Sequence, residues 1–161
     1  MFSDSGFDMR NVLEWSPRFD IGIPVIDDQH KRLVGLCNRL HRGLMQNGAE
    51  TTWSDSLAQA IRECYDYVLL HFKTEETLMR AAGYPDYPDH KREHDMFRKK
   101  VLSLANEFET STIGTAYKFV RFLYDWVFTH IAHEDKLFVK SVLDYYRRTR
   151  TAVAAGAAKT P

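Results

Sequence analysis

The chain has 161 residues, of which 44% are hydrophobic and 13% aromatic, and its 22 basic side chains balance its 22 acidic ones. This length suits one domain whose core needs no disulfide, and this composition excludes a disordered chain. Zero net charge argues against a nucleic-acid-binding surface and against a polybasic membrane anchor, because both need an excess of Lys and Arg.

The chain shows no sign of export or of membrane insertion. Its first residues, MFSDSGFDMRN, lack the basic segment and the apolar run of a secretory signal. No apolar stretch approaches the roughly 18 residues that a membrane-spanning helix requires. Two cysteines, Cys37 and Cys64, are too few for a disulfide scaffold, so we expect reduced thiols in the core. We therefore expect a cytoplasmic protein.

Glycine and proline residues divide the chain into four segments with helical periodicity. In chain order, we predict helices at Asp27–Asn47, Ser54–Ala82, Pro88–Glu109 and Thr115–Arg147. Ser54 suits the N-cap of the second helix. The ending TAVAAGAAKTP has no large side chain to bury, so we predict that residues 148–161 form a flexible tail.

Each predicted helix carries apolar residues at the three-and-four spacing of a core-facing stripe. Four such helices joined by short loops typically form an up-down-up-down bundle in which neighbours are antiparallel. We therefore predict an all-α fold, with residues 1–147 forming a four-helix bundle that has an N-terminal arm.

Seven ionisable side chains interrupt these apolar stripes. They are His30, His71, Glu75, His90, His94, His130 and Asp135. An ionisable group on a core face is costly unless it is paired or binds a metal. In an antiparallel bundle, the starts of the first and third helices meet the ends of the second and fourth, so all seven converge on one layer. The sequence therefore predicts a metal site at this end of the bundle.

The spacing within each helix supports this interpretation. His71–Glu75 and His90–His94 are pairs at i, i+4, roughly 6 Å apart on one helix face. His130 and Asp135 are five residues apart, and a regular α-helix would turn about 140° between them. Either Asp135 reaches around the helix or one π-type turn realigns it, and we favour the π-turn.

The donor set is too large for a single zinc ion, which takes about four ligands. Five imidazoles and two carboxylates suit two ions, with carboxylates that bridge both. Imidazole with carboxylate suits iron, although ligand type alone leaves copper, nickel and manganese open. Carboxylate-rich di-iron proteins use Glu-x-x-His pairs, and the predicted site has neither that spacing nor that donor ratio.

Five pieces of the sequence match a known family pattern between Asn11 and Tyr145. They are Trp15, the IDDQH that ends in His30, the HFKTE that starts at His71, the YP…HKREH that ends in His94, and the HIAHED that starts at His130. Together they resemble the hemerythrin family, in particular its single-domain bacterial members. All seven predicted ligand positions match in order and in spacing.

The resemblance implies two iron ions, with a bridging oxo or hydroxo group, that bind dioxygen reversibly. It implies that His90, His94 and His130 hold one iron and that His30 and His71 hold the other, which has the open position. It further implies that Glu75 and Asp135 bridge the two irons, with Asp135 preferred to its neighbour Glu134. Four apolar residues match family positions beside the open iron and also suit a plain core: Leu33, Phe72, Trp126 and Ile131.

We therefore expect an oxygen-binding protein for storage, delivery or sensing, with dioxygen as its partner, and not an enzyme. One alternative is a di-iron enzyme, such as a peroxidase or a nitric-oxide or oxygen reductase. Another is a bundle that a metal merely stabilises. The remaining histidines, His41 and His133, receive no role, and Glu76 is expected to point away from the bridging carboxylates.

Overall fold

The computed structural model describes residues 12–46 and 52–157, and these residues contain helices and no strand. The main elements are α1 (Pro24–Met45), α2 (Trp53–Ala82), α3 (Tyr87–Asn106), α4 (Ile113–Trp126), a π-helical segment (Val127–Glu134) and α5 (Asp135–Ala157). Short 3-10 turns span Pro17–Phe19 and Phe108–Thr110. The last three main elements follow one another without a break and form the fourth long helix of the bundle.

Local sequence signals set several of the helix ends. Thr52 caps α2, because its hydroxyl accepts a hydrogen bond from the Asp55 N–H while the Asp55 carboxylate accepts one from the Thr52 N–H. The N-cap is therefore Thr52 and not the predicted Ser54. Gly83 ends α2 in the left-handed conformation, with φ of 67°, which glycine adopts without strain. Thr112 caps α4 through a similar reciprocal pair with Thr115.

Contacts between α1 and α2 show that the two helices are antiparallel. The Gln29 amide donates to the Thr74 hydroxyl at 3.3 Å near the start of α1 and the end of α2. Later in α1 and earlier in α2, Arg39 forms an ion pair with Glu63. Residues later in α1 thus contact residues earlier in α2, so the two helices are antiparallel.

The second half of the chain repeats the antiparallel arrangement. Between α3 and α4, the rings of Phe97 and Phe122 lie 4.8 Å apart and those of His94 and Trp126 lie 6.5 Å apart. α2 packs against α3 and α5, and α1 packs against α2 and α4. The predicted all-α, up-down-up-down four-helix bundle is confirmed.

The π-helical segment occupies the region in which the His130–Asp135 spacing predicts an irregular turn. The Asp135 N–H donates to the carbonyl of His130, five residues earlier, in place of the i to i−4 bond of an α-helix. The predicted π-turn is confirmed. It brings the last predicted carboxylate onto the same side of the helix as the last predicted histidine.

The C-terminal helix extends further than the sequence analysis predicts. We expected it to end at Arg147 and to be followed by a flexible tail over residues 148–161, but α5 continues to Ala157, and residues 158–161 lie outside the described residues. The alanines of this segment are strong helix formers, so the chain continues as helix although it has no large side chain to bury. The predicted end of the first helix, Asn47, lies outside the described residues.

An N-terminal arm packs on the bundle as predicted. The side chain of Asn38 bonds both backbone groups of Leu13, accepting at 2.9 Å and donating at 2.7 Å. The Asp27 carboxylate accepts from the N–H groups of Ile21 and Gly22 at 2.8 and 3.1 Å, which fixes the arm to the first turn of α1. Trp15 packs on this arm, with its ring 5.6 Å from that of Phe19.

The core is apolar and contains both cysteines as free, buried thiols. Burial raises the pKa of Cys37 to about 12 and also raises that of Cys64, so neither thiol ionises near neutral pH. Within the described part of the chain, no helix combines the length and the apolar character needed to cross a membrane.

Candidate metal centre

All seven predicted side chains converge at one end of the bundle interior. They form two groups, and within each group the ligand atoms all lie within 4.8 Å of one another. One group contains three histidines and both carboxylates: His90, His94, His130, Glu75 and Asp135. The other contains two histidines and the same carboxylates: His30, His71, Glu75 and Asp135. The same two carboxylates belong to both groups.

Glu75 turns one carboxylate oxygen towards each group. Its Oε1 lies 3.6 Å from Nε2 of His71 and 3.7 Å from Nε2 of His30. Its Oε2 lies 3.2 Å from Nε2 of His94 and 3.6 Å from Nε2 of His90. The two oxygens thus face different sets of imidazoles, as a carboxylate that bridges two ions would.

Asp135 divides its oxygens in the same way. Its Oδ2 lies 3.1 Å from Nε2 of His30, in the two-histidine group. Its Oδ1 lies 3.1 Å from Nε2 of His130 and 3.4 Å from Nε2 of His90, in the three-histidine group. Glu134, the competing neighbour, is in neither group.

The ligand atoms are buried and lack ordinary partners. Glu75 and Asp135 are completely buried, and none of their four carboxylate oxygens has a hydrogen-bond partner among the described residues. Nε2 of His30, His71 and His130 is likewise buried without one. Unpaired polar atoms in a protein interior cost about 1–3 kcal/mol each, so such a cluster is stable only if something satisfies it. Cations between these lone pairs would satisfy them together, and the residues therefore fit a pair of metal ions.

Burial and the two carboxylates shift the pKa values of the histidines in opposite directions. Burial lowers the pKa of His30, but its contacts with Asp135 and Glu75 outweigh burial and raise that pKa to about 9. The same balance raises the pKa of His90 to about 9 and that of His130 to about 10. For His71 burial dominates and lowers the pKa to about 3. Without cations, the cluster holds protons on the imidazoles that face Asp135.

A second layer of polar groups orients three of the imidazoles. Nδ1 of His71 lies 3.0 Å from Oε1 of Gln29, and Nδ1 of His130 lies 2.7 Å from Oε2 of Glu93. With Nδ1–H donating to these oxygens, each ring would turn the lone pair of Nε2 towards a bound metal ion. Neither Gln29 nor Glu93 was predicted, since one sequence does not reveal which side chains of separate helices face each other.

Glu76 orients the third imidazole. It points away from the bridging carboxylates, as expected, but its Oε1 lies 3.2 Å from Nδ1 of His94 and accepts from Arg98 at 2.7 Å. Arg98 is thus part of this layer. Burial raises the pKa of Glu76, but the hydrogen bonds from His94 and Arg98 lower it further than burial raises it.

Aromatic side chains cover the imidazoles. Phe72 stacks on His94 with ring centroids 3.8 Å apart, and Trp126 stacks on His130 at 3.9 Å. The imidazoles that Trp126 contacts belong to the three-histidine group, and its predicted place beside the two-histidine group stays a prediction. Leu33 and Ile131 are completely buried in the same core, which leaves their predicted role as pocket residues a prediction.

Tyr67 covers the two-histidine group. Its ring stacks on that of His71 at 4.7 Å and 26°. The sequence analysis missed this residue, although its position one helical turn before His71 is a usable signal. The two unassigned histidines, His41 and His133, belong to neither donor group, as expected.

Comparisons with known proteins agree with this geometry. Residues 21–142 match the model of the hemerythrin HHE cation binding domain. The chain is 38% identical over 131 residues to a bacteriohemerythrin of Pseudomonas aeruginosa PAO1, covering 81% of each chain. It is 32% identical over 128 residues to the bacteriohemerythrin of Methylococcus capsulatus Bath, covering 79% of this chain and 94% of the relative. The crystal structure of a wild-type hemerythrin superposes with a TM-score of 0.68 at 29% identity, covering 81% of this chain and 98% of the other.

Proposed function

Since the chain belongs to the hemerythrin family, we propose that it binds dioxygen reversibly at a di-iron centre held by its buried histidines and carboxylates. One observation carries the proposal: Glu75 and Asp135 each present one oxygen to each of two adjoining donor groups. A pair of iron(II) ions, when bound, would supply the two electrons that reversible dioxygen binding needs.

The unequal donor groups support a single open position. His90, His94 and His130 would hold one iron, with Glu75 and Asp135 as bridges. The other iron would have His30 and His71 with the same two bridges, one protein ligand fewer. The ion with fewer protein ligands would be the one at which a small exogenous ligand binds.

The surrounding side chains keep the site dry. Phe72 is completely buried and its ring lies against those of His71 and His94, so it would exclude water from the donor groups, and the predicted pocket residues Leu33 and Ile131 are also completely buried. Excluding water slows the loss of bound ligand through protonation and side reactions. An uncharged gas can enter such an interior without the electrostatic guidance that a charged substrate would use.

We propose binding and release, for storage, delivery or sensing, and not catalytic turnover. The donor set is rich in imidazole, whereas ferritin-like di-iron proteins are rich in carboxylates. The names of the relatives are those of hemerythrins and support the same role.

The test is to purify the protein without oxygen, measure iron per chain, and cycle oxygen while recording the visible spectrum. Two irons per chain and an absorption band that appears and disappears over repeated cycles are expected. Irreversible oxidation on first exposure, or sustained turnover with a reductant, would favour a di-iron enzyme. Zinc alone, without an oxygen response, would contradict both functions.

A further inference from the structure

Tyr67 is a buried polar residue that has no role in the proposed metal centre. Its side chain is within the hydrophobic core, and its hydroxyl has no hydrogen-bond partner among the described residues. A hydroxyl buried without a partner costs about 1–3 kcal/mol, and phenylalanine would fill nearly the same space without that cost. The hydroxyl therefore suggests a partner that the protein chain itself does not provide.

The position of Tyr67 indicates where that partner binds. Tyr67 lies four residues before His71 on the same face of α2, and the two rings are nearly parallel, with 26° between their planes. The phenol therefore projects into the bundle beside the His71 imidazole, on the side of the two-histidine group. This is the group with one protein ligand fewer.

The side chains around Tyr67 limit which groups could accept a hydrogen bond from its hydroxyl. The ring edge of Tyr67 also contacts Phe72, with centroids 6.3 Å apart. Gln29, the nearby amide, is already engaged by Nδ1 of His71 and by Thr74. Glu75 and Asp135 face the histidines. No described side chain thus competes for the Tyr67 proton, and an exogenous acceptor beside His71 would receive it.

We propose that the Tyr67 hydroxyl donates a hydrogen bond to the small ligand that binds at the metal held by His30 and His71. This inference rests on the proposed function. Dioxygen gains negative charge when it binds to iron(II), and azide is an anion, so both are acceptors for a phenol. A hydrogen bond to a charged acceptor changes affinity by roughly 10-fold or more. Tyr67 would thus be a determinant of how long the ligand stays bound.

The test compares wild type with Tyr67→Phe, and uses Tyr65→Phe, an exposed tyrosine of the same helix, as the matched control. Azide is titrated into the iron(III) form, and the infrared stretch of bound azide is recorded in H2O and in D2O. Tyr67→Phe should bind azide roughly 10-fold more weakly, and should lose an H2O–D2O shift of the azide stretch that wild type and Tyr65→Phe retain. In the iron(II) form, dioxygen should dissociate roughly 10-fold faster from Tyr67→Phe.

The substitution should not destabilise the fold, because the Tyr67 hydroxyl has no hydrogen-bond partner among the described residues. Metal-free Tyr67→Phe should melt no lower than metal-free wild type. Equal azide affinity, an unchanged azide stretch and equal dioxygen dissociation in Tyr67→Phe and wild type would overturn the role of Tyr67 alone. A wild type that binds neither dioxygen nor azide would overturn it together with the proposed function.

Discussion

Replacing Glu76 should weaken metal binding although Glu76 is not one of the proposed ligands. Its Oε1 accepts from Nδ1 of His94 at 3.2 Å and from Arg98 at 2.7 Å. Glu76→Ala would leave both donors without this acceptor and free the His94 ring to turn. Outer carboxylates of this kind typically contribute 10- to 100-fold in metal affinity, which corresponds to about 1.4–2.8 kcal/mol. We expect the alanine variant near the upper end of that range.

Glu76→Gln should have a smaller effect, because the amide oxygen can still accept from Nδ1 but carries no charge. Charge-assisted hydrogen bonds are about twice as strong as neutral ones, so we expect a loss near 10-fold. Glu63→Ala is the matched control, since Glu63 lies on the same helix and pairs with Arg39 at the surface.

The assay follows iron loss to an excess of chelator at fixed pH, for wild type and each variant, by the metal that remains per chain. The expected order of iron retention is wild type and Glu63→Ala first, then Glu76→Gln, then Glu76→Ala. Iron loss from Glu76→Ala at the wild-type rate would refute the reasoning. Equal losses from Glu76→Ala and Glu63→Ala would indicate a general effect on the fold instead.

Three further predictions concern the ligands, their protons and the helix that carries two of them. His30→Ala or His71→Ala should abolish dioxygen binding while His41→Ala keeps it, and equal loss in all three, seen by visible spectroscopy, would contradict the ligand assignment. The pKa values of about 9 to 10 for His30, His90 and His130 mean that these imidazoles are protonated at pH 7 without metal, so iron uptake should release protons. Metal affinity should therefore fall as pH drops below about 9, and a pH-independent affinity in chelator competition between pH 6 and 9 would be inconsistent with these shifts. Deleting the exposed His133 should convert the π-helical segment to α-helix, which would place His130 and Asp135 at i, i+4. We expect the circular dichroism spectrum to remain helical and the protein to retain iron. Complete loss of iron would mean that the π geometry itself is needed.

The fold could be predicted from sequence because its signals are periodic and redundant. The apolar stripes and the glycine and proline breaks place four helices, and the structure moves most of their ends by only a few residues. The π-helical segment was predictable for a related reason: a regular α-helix leaves His130 and Asp135 poorly aligned for one metal site, and a π-turn is one of the two ways to bring them together. The end of α5 was not predictable from burial, because the alanines there favour helix without packing.

The cluster of seven side chains could be predicted because seven ionisable groups in apolar stripes would be too costly to bury together without a metal. The residues that hydrogen-bond to the Nδ1 atoms of these histidines could not be predicted. Gln29, Glu76 and Glu93 look like ordinary polar residues of amphipathic helices, and only the rotation of each helix in the bundle decides that they face an imidazole. The stacking of Trp126 on His130 could not be predicted either, because it depends on the turn of the helix between them.

The most direct test of the central claim is a dioxygen balance on the reduced, iron-loaded protein. An oxygen electrode would record uptake after mixing and release after the oxygen above the solution is removed, over several cycles. We predict one dioxygen taken up for every two irons, with the same amount released unchanged in each cycle. Uptake without release, or release of hydrogen peroxide in place of dioxygen, would contradict reversible binding at a di-iron centre.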